Sequence, residues 1–258
     1  MKLIDAHTHL SSEEFNENRA EVLARAFQVC DFIIDIGSGT SKDAFTRAKD
    51  LAEAHPQVYF TAGIHPHDAE SIGKDKKILQ EIEALCRHPK CVAVGECGLD
   101  YFYNHSSRDA QIDVFQWHIE LATKLQLPLM IHTRDAEEDT QKILKDYSGT
   151  AAFHCFTGSQ DLANFGIQKK FYISFSGIVT FKNAEDLRKI FLSLPMEQIL
   201  IETDSPYLAP VPMRGKKNES AFIEHTAKFL ADLRGLPASE FGKITAGNTL
   251  KLFNKMAA

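Results

Sequence analysis

Eight short apolar, β-branched runs recur along this 258-residue chain, with helix-patterned segments between them. The runs are KLIDAH (2–7), DFIIDIGSG (31–39), VYFTAGIH (58–65) and CVAVGECGLD (91–100). They continue with LPLMIHTR (127–134), TAAFHCFTG (150–158), FYISFSG (171–177) and QILIETDSP (198–206). The intervening segments carry apolar residues at helical spacing. In RDAQIDVFQWHIELATKLQ (108–126), Ile112, Phe115, Ile119 and Leu121–Ala122 predict one buried face. Strand–helix alternation through the whole length predicts a parallel sheet. Eight repeats of that unit favour a closed (β/α)8 TIM-type barrel over an open doubly wound sheet. The last segment, ASEFGKITAGNTLKLFNKM (238–256), reads as an extra C-terminal helix packed outside the barrel. No low-complexity tract or compositional break marks a linker, so one domain over 1–258 is expected.

In such a barrel, reactive groups project from the C-terminal strand ends. Those ends carry His7 and His9 on the first run, His65 on the third and Glu96 on the fourth. His132, His154 and Asp204 follow on the fifth, sixth and eighth. Strand alternation puts Asp5, His7 and His9 on one face and Ala6 and Thr8 on the other. If that face is the barrel interior, both imidazoles reach one ion, and Asp5 accepts a hydrogen bond from a ligand imidazole. A lone H-x-H is weak evidence, and each carboxylate has a structural reading of its own: Glu96 as a buried, hydrogen-bonded group, Asp204 as a turn or helix cap. The shared position at one end of six strands is what favours a divalent-metal site. His55, His88, His105, His118 and His225 fall outside that pattern and read as structural or surface residues.

The net charge of −6 argues against a broad basic footprint on nucleic acid, but not against a pocket that takes one strand end. The five cysteines form no C-x-x-C pair and read as reduced thiols, which together with the lack of a signal-like or membrane-spanning run predicts a cytoplasmic protein. No apolar surface stripe appears, which predicts a monomer.

The motifs DAHTHL (5–10), GIHPH (63–67), GECGLDY (95–101), LPLMIHTRDA (127–136), FHCFTGS (153–159), YISFSGIVTF (172–181) and ETDSPYLAPVPMRGKKN (202–218) stand in order along the chain. As a set they resemble the TatD-related metal-dependent hydrolases, part of the wider amidohydrolase-type barrel group. The resemblance implies two divalent ions, with Mg, Mn or Zn as candidates. It implies that His7, His9 and Asp204 hold one ion, that Glu96 bridges both, and that His132 and His154 hold the second. It implies a phosphate contact for His65, and it places Arg134, Tyr207, Arg214 and Asn218 at the mouth.

Two departures from the family pattern stand out. The usual G-E-T-G-L-D is here Gly95-Glu96-Cys97-Gly98, and the usual N-E-P or N-Q-P is Asn218-Glu219-Ser220. Alternation turns Cys97 away from Glu96, into a packing role. The expected chemistry is hydrolysis of phosphodiester bonds from a DNA or RNA strand end, a deoxyribonuclease or exonuclease activity. Metal-activated water attacks, Asp204 and Glu96 are the catalytic carboxylates, and His65, Arg134, Tyr207 and Arg214 contact substrate. Tyr101, Phe102 and Tyr103 either stack a splayed base or pack the loop. Arg214, Lys216 and Lys217 either steer a polyanion or are a solvated charge run. Alternatives are a metal-dependent esterase or amidase, such as an aminoacyl-tRNA deacylase, and a non-catalytic metal-bound scaffold.

Overall fold

The computed structural model describes residues 2–39 and 42–257. Eight strands form one parallel sheet in sequence order: β1 (Leu3–Thr8), β2 (Cys30–Gly37), β3 (Val58–Ala62), β4 (Cys91–Asp100), β5 (Leu129–Arg134), β6 (Ala151–Phe153), β7 (Tyr172–Phe175) and β8 (Ile199–Ile201). The sheet closes on itself just past β8. Asp204 N–H donates to His7 O at 2.8–2.9 Å, as does His9 N–H to Ser205 O. The fold is the expected TIM-type (β/α)8 barrel.

Two apolar layers hold it together. The outer layer lies between strands and helices and gathers Phe45, Phe60, Phe115, Phe153, Phe175, Phe191 and Phe241, all fully buried. The inner layer fills the barrel with Ile4, Ile34, Ile36, Val92, Met130 and Leu200.

The C-terminal segment departs from the sequence reading. The helix Ala238–Leu252 does more than pack outside: Ala246, Leu252, Phe253 and Met256 join the inner layer. Lys255 Nζ then donates to the carbonyls of Cys86, His88 and Cys91, at 3.4, 3.3 and 2.9 Å. His88 and Cys91 flank the start of β4, so this segment closes the N-terminal end of the barrel and leaves the other end open.

The helix Arg108–Leu125 also buries a different stripe from the one its apolar spacing suggests. Gln111, Val114, Phe115, His118, Leu121 and Ala122 are buried, while Ile112 and Ile119 are only partly so. The face is rotated because Gln111 and His118 are needed inside as hydrogen-bonding groups. Gln111 Oε1 accepts Asp100 N–H at 2.7 Å, and its amide donates to Asp100 O and Ser106 O. A polar side chain with its partners satisfied is as much at home in a core as an apolar one.

Candidate metal centre

One extra residue on each of two strands aims the centre. Pairing slips between Asp5 and Thr8 on β1, and between Val94 and Cys97 on β4. A bulge of this kind re-aims the side chains that follow it. On β1 it breaks the expected alternation. Ile4 and Ala6 join the inner apolar layer, and the buried Asp5 bonds to no imidazole. Asp5 instead accepts Thr203 N–H at 2.9 Å and the Thr203 hydroxyl at 2.6 Å, pinning the turn after β8. On β4, Glu96 faces the centre and Cys97 packs in the outer layer, its thiol on Met130 O at 3.5 Å. Gly98, at φ +136°, allows β5 to pass close by, since a Cβ there would lie 2.0 Å from His132 O.

Glu96 is the hub. Its Oε2 lies 3.7 Å from His7 Nε2 and 4.0 Å from His9 Nε2. Its Oε1 lies 2.8 Å from His154 Nε2, 3.2 Å from His132 Nδ1 and 3.4 Å from His65 Nε2. Asp204 Oδ1 stands 3.3 Å from His9 and 3.7 Å from His7. Each carboxylate oxygen of Glu96 therefore addresses its own set of imidazoles. All seven residues singled out at the strand ends meet at one point. Asp204 gets there by leaving the strand, at φ +55°, a conformation aspartate tolerates better than most residues.

The donor set fits divalent cations. His7 is fully buried, and neither of its ring nitrogens has a hydrogen-bond partner. Burial and the neighbouring His154 push its pKa well down, although Glu96 opposes this, so it offers a lone pair. Burial works against the charge of Glu96, yet His154 and His65 hold its pKa well below the usual range. Carboxylate and neutral imidazole donors spaced this closely are those that zinc, manganese and similar ions take.

Hydrogen bonding sorts the histidines by tautomer. His132 Nε2 faces Asp100 Oδ2 at 3.2 Å, and a carboxylate only accepts, so the proton belongs on Nε2 and the Nδ1 lone pair points at Glu96. His154 Nδ1 lies 3.4 Å from the Glu202 carboxylate without a formed hydrogen bond, and its Nε2 turns inward to Glu96. In the metal-free protein the nearby carboxylates outweigh burial and raise the pKa of both rings. His65 is the reverse case. Its Nδ1 accepts His67 N–H at 3.2 Å, so in the neutral ring Nε2 carries the hydrogen and presents a donor to the centre.

Asp100 and Glu202 are the residues that strand-end reasoning passed over. Both belong to the quoted motifs, GECGLDY and ETDSP, and both are buried acids, which is the available signal. Asp100 is shared: its Oδ2 also meets His67 Nε2 at 2.9 Å. Burial raises its pKa, but His132, Tyr103 N–H and His67 lower it more, so it stays ionised.

The centre opens into a cavity of about 870 Å³ at the C-terminal end of the barrel. Arg134 and Tyr207 line it, as expected for mouth residues. Arg214 does not; its guanidinium stacks 3.7 Å over the Phe181 ring. Asn218 is fully buried and ties the last loop by donating to Thr203 O and Tyr207 O, so it is a brace and not part of the mouth. Lys217 donates to Glu14 O at 2.6 Å, and Lys216 is exposed. Of the other histidines, His118 is buried between helix and strand, and His88 lies 3.2 Å from Glu53 on the surface.

Comparison with known proteins agrees with this geometry. The family model described as TatD related DNase matches residues 4–254. A Bacillus subtilis protein named as the uncharacterized metal-dependent hydrolase YabD is 39% identical over 255 residues, 97% of this chain and 98% of its own. The Salmonella typhimurium 3′-5′ ssDNA/RNA exonuclease TatD is 33% identical over 261 residues, covering 97% and 98%. The crystal structure of the Escherichia coli TatD homologue YjjV superposes with a TM-score of 0.86 at 30% identity, covering 98% of both chains. No helix among the described residues is long and apolar enough to cross a membrane. The chain belongs to the TatD family of metal-dependent hydrolases.

Proposed function

We propose that this protein removes nucleotides from the end of single-stranded DNA or RNA, using two divalent cations. The observation that carries the reading is the split of Glu96. One oxygen faces His7 and His9, and the other faces His132 and His154. His7, His9 and Asp204 would hold one cation, His132 and His154 the other, with Glu96 between them. Such a pair supplies Lewis-acid activation of water and neutralises charge on the attacked phosphate.

The chain's own residues do the rest. Asp204 lines the cavity beside His9 and His7, where it would take the proton of an attacking water. His65 Nε2–H is a donor with no lone pair to give, so it holds a phosphate oxygen. Arg134 adds a charge-assisted hydrogen bond from the cavity wall. Tyr207 also lines the cavity, and Arg214 stays outside it. Asp100 fixes the tautomer of His132, and Glu202 places a carboxylate behind His154. The 33% identity to a protein named as an ssDNA/RNA exonuclease supports the choice of substrate over an ester or amide.

The test is release of nucleotides from end-labelled single-stranded DNA and RNA with Mg²⁺, Mn²⁺ or Zn²⁺, against Glu96→Gln. Metal-dependent cleavage by wild type alone is expected. Turnover of a carboxyl ester, with no phosphodiester cleavage under any metal, would overturn the reading.

A further inference from the structure

The run Tyr101-Phe102-Tyr103 after β4 divides into two roles. Tyr101 is buried, donates its hydroxyl to Asp139 at 2.8 Å and lies under the Arg108 guanidinium. Phe102 and Tyr103 are 51% and 50% exposed. Two adjacent exposed rings contribute nothing to the core, yet they are held in place. Asp100 Oδ1 accepts the backbone N–H groups of both, at 3.0 and 3.1 Å. The two rings meet edge to face at 4.9 Å, and the Arg134 guanidinium lies 3.9 Å over Phe102 and 4.8 Å from the centre of Tyr103. Tyr103 is further backed by the parallel ring of His105 at 5.6 Å. Tyr103 and Arg134 both line the cavity beside His132.

We propose that Phe102, Tyr103 and Arg134 form a stacking shelf for the base of the nucleotide next to the cleaved phosphate. The inference rests on the nucleic-acid reading above and adds how the strand is held. Rigid aromatic faces with a stacked guanidinium bind any base by its π-face, without reading its sequence. Because the rings are fixed before substrate arrives, little side-chain freedom is lost on binding. The shelf also shares its anchor with the centre. Asp100 holds the shelf with Oδ1 and His132 with Oδ2, so the stacked base and the reacting phosphate are set by one carboxylate. Such a contact suits a chain with net charge −6, which has little overall attraction for a polyanion.

Two measurements test the shelf. The first is metal-dependent digestion of an oligonucleotide with intact bases against one carrying abasic sites at its terminal positions. The second is fluorescence anisotropy, on wild-type protein, of phosphorothioate-linked versions of the same two oligonucleotides, which resist cleavage. Wild type is expected to favour the intact strand about tenfold in kcat/KM and to bind its phosphorothioate version about tenfold tighter than the abasic one, the scale of one stacked base. Adding Phe102→Ala and Tyr103→Ala together should bring both ratios near one, with melting temperature and metal content unchanged. Digestion in which intact and abasic strands are cut alike, or in which the double substitution leaves the preference intact, overturns the shelf and spares the nuclease reading. Base-dependent binding without cleavage overturns the nuclease reading and spares the shelf.

Discussion

His118 offers the sharpest test of how the fold supports the centre. It is fully buried on the helix Arg108–Leu125. Its Nε2 accepts Ile64 N–H at 2.9 Å, and its Nδ1–H donates to Val114 O at 2.7 Å. Ile64 precedes His65, so this ring sets the chain as it enters the centre. The bond from Ile64 requires the neutral ring, because a protonated Nε2 has no lone pair to accept it, whereas Nδ1–H donates in either state. Burial lowers its pKa from 6.5 to about 4, against the smaller opposing pull of the Val114 carbonyl. A histidine with a depressed folded-state pKa stabilises the fold fully above its unfolded value. That contribution is lost as pH falls from 6.5 towards 4. About 2.5 pH units at 1.36 kcal/mol each gives a loss of about 3 kcal/mol by pH 4. His118→Gln removes the titration and keeps an acceptor for Ile64 N–H. Urea unfolding of both chelator-treated proteins, followed by circular dichroism from pH 7.5 to pH 4, isolates the effect, because the other histidines cancel in the difference. The stability advantage of wild type over the variant should shrink by about 3 kcal/mol across that range. Parallel stability curves would refute the assignment of a buried neutral ring.

Other consequences follow from the same contacts. Metal binding should release protons, because in the metal-free protein His132 and His154 hold theirs through Asp100, Glu96 and Glu202. Affinity for Zn²⁺ or Mn²⁺ should therefore rise with pH, and calorimetry in buffers of different ionisation enthalpy reads the proton count. Asp100→Asn should weaken metal binding by about 10- to 100-fold by loosening the His132 tautomer, with little change in the melting temperature of the chelator-treated protein. At a free metal concentration of 100 Kd, wild type should gain about 2.7 kcal/mol of stability, and His7→Ala should lose most of that gain in thermal unfolding. Lys255→Met leaves three backbone carbonyls without their donor. It should cost about 1–3 kcal/mol in denaturant unfolding and raise amide exchange in 238–257 before the rest of the barrel.

The barrel and the identity of the residues at its mouth were legible because both rest on strong local signals. A β-branched run between helical segments has few other readings, and a polar residue at the end of an apolar strand stands out. What escaped was whatever depends on a neighbour. Strand-end reasoning puts His154 and Asp204 at the ends of the strands in TAAFHCFTG and QILIETDSP, but β6 ends at Phe153 and β8 at Ile201. The chain turns as soon as its polar residues begin, with Cys155 at φ +41° and Asp204 at φ +55°. Alternation makes Asp5 a partner of a ligand imidazole, and one extra residue on β1 undoes that parity. No spacing rule in a single sequence reveals a bulge, because its cause is the pairing with β2.

The histidines show the same limit at the level of single atoms. His65 and His132 are alike in sequence, each at a strand end and each within 3.4 Å of Glu96 Oε1. Their chemistry diverges because of what lies behind the ring. A backbone N–H on Nδ1 makes His65 a hydrogen-bond donor towards the centre, while a carboxylate on Nε2 makes His132 a lone-pair donor. That sorting makes His65→Asn and His132→Asn separate cleanly. The first should raise KM or lower kcat with metal content kept, and the second should lose about one equivalent of metal by elemental analysis. Loss of metal from the His65 variant would show that its Nε2 ligates, and that the His67 N–H contact does not decide the tautomer.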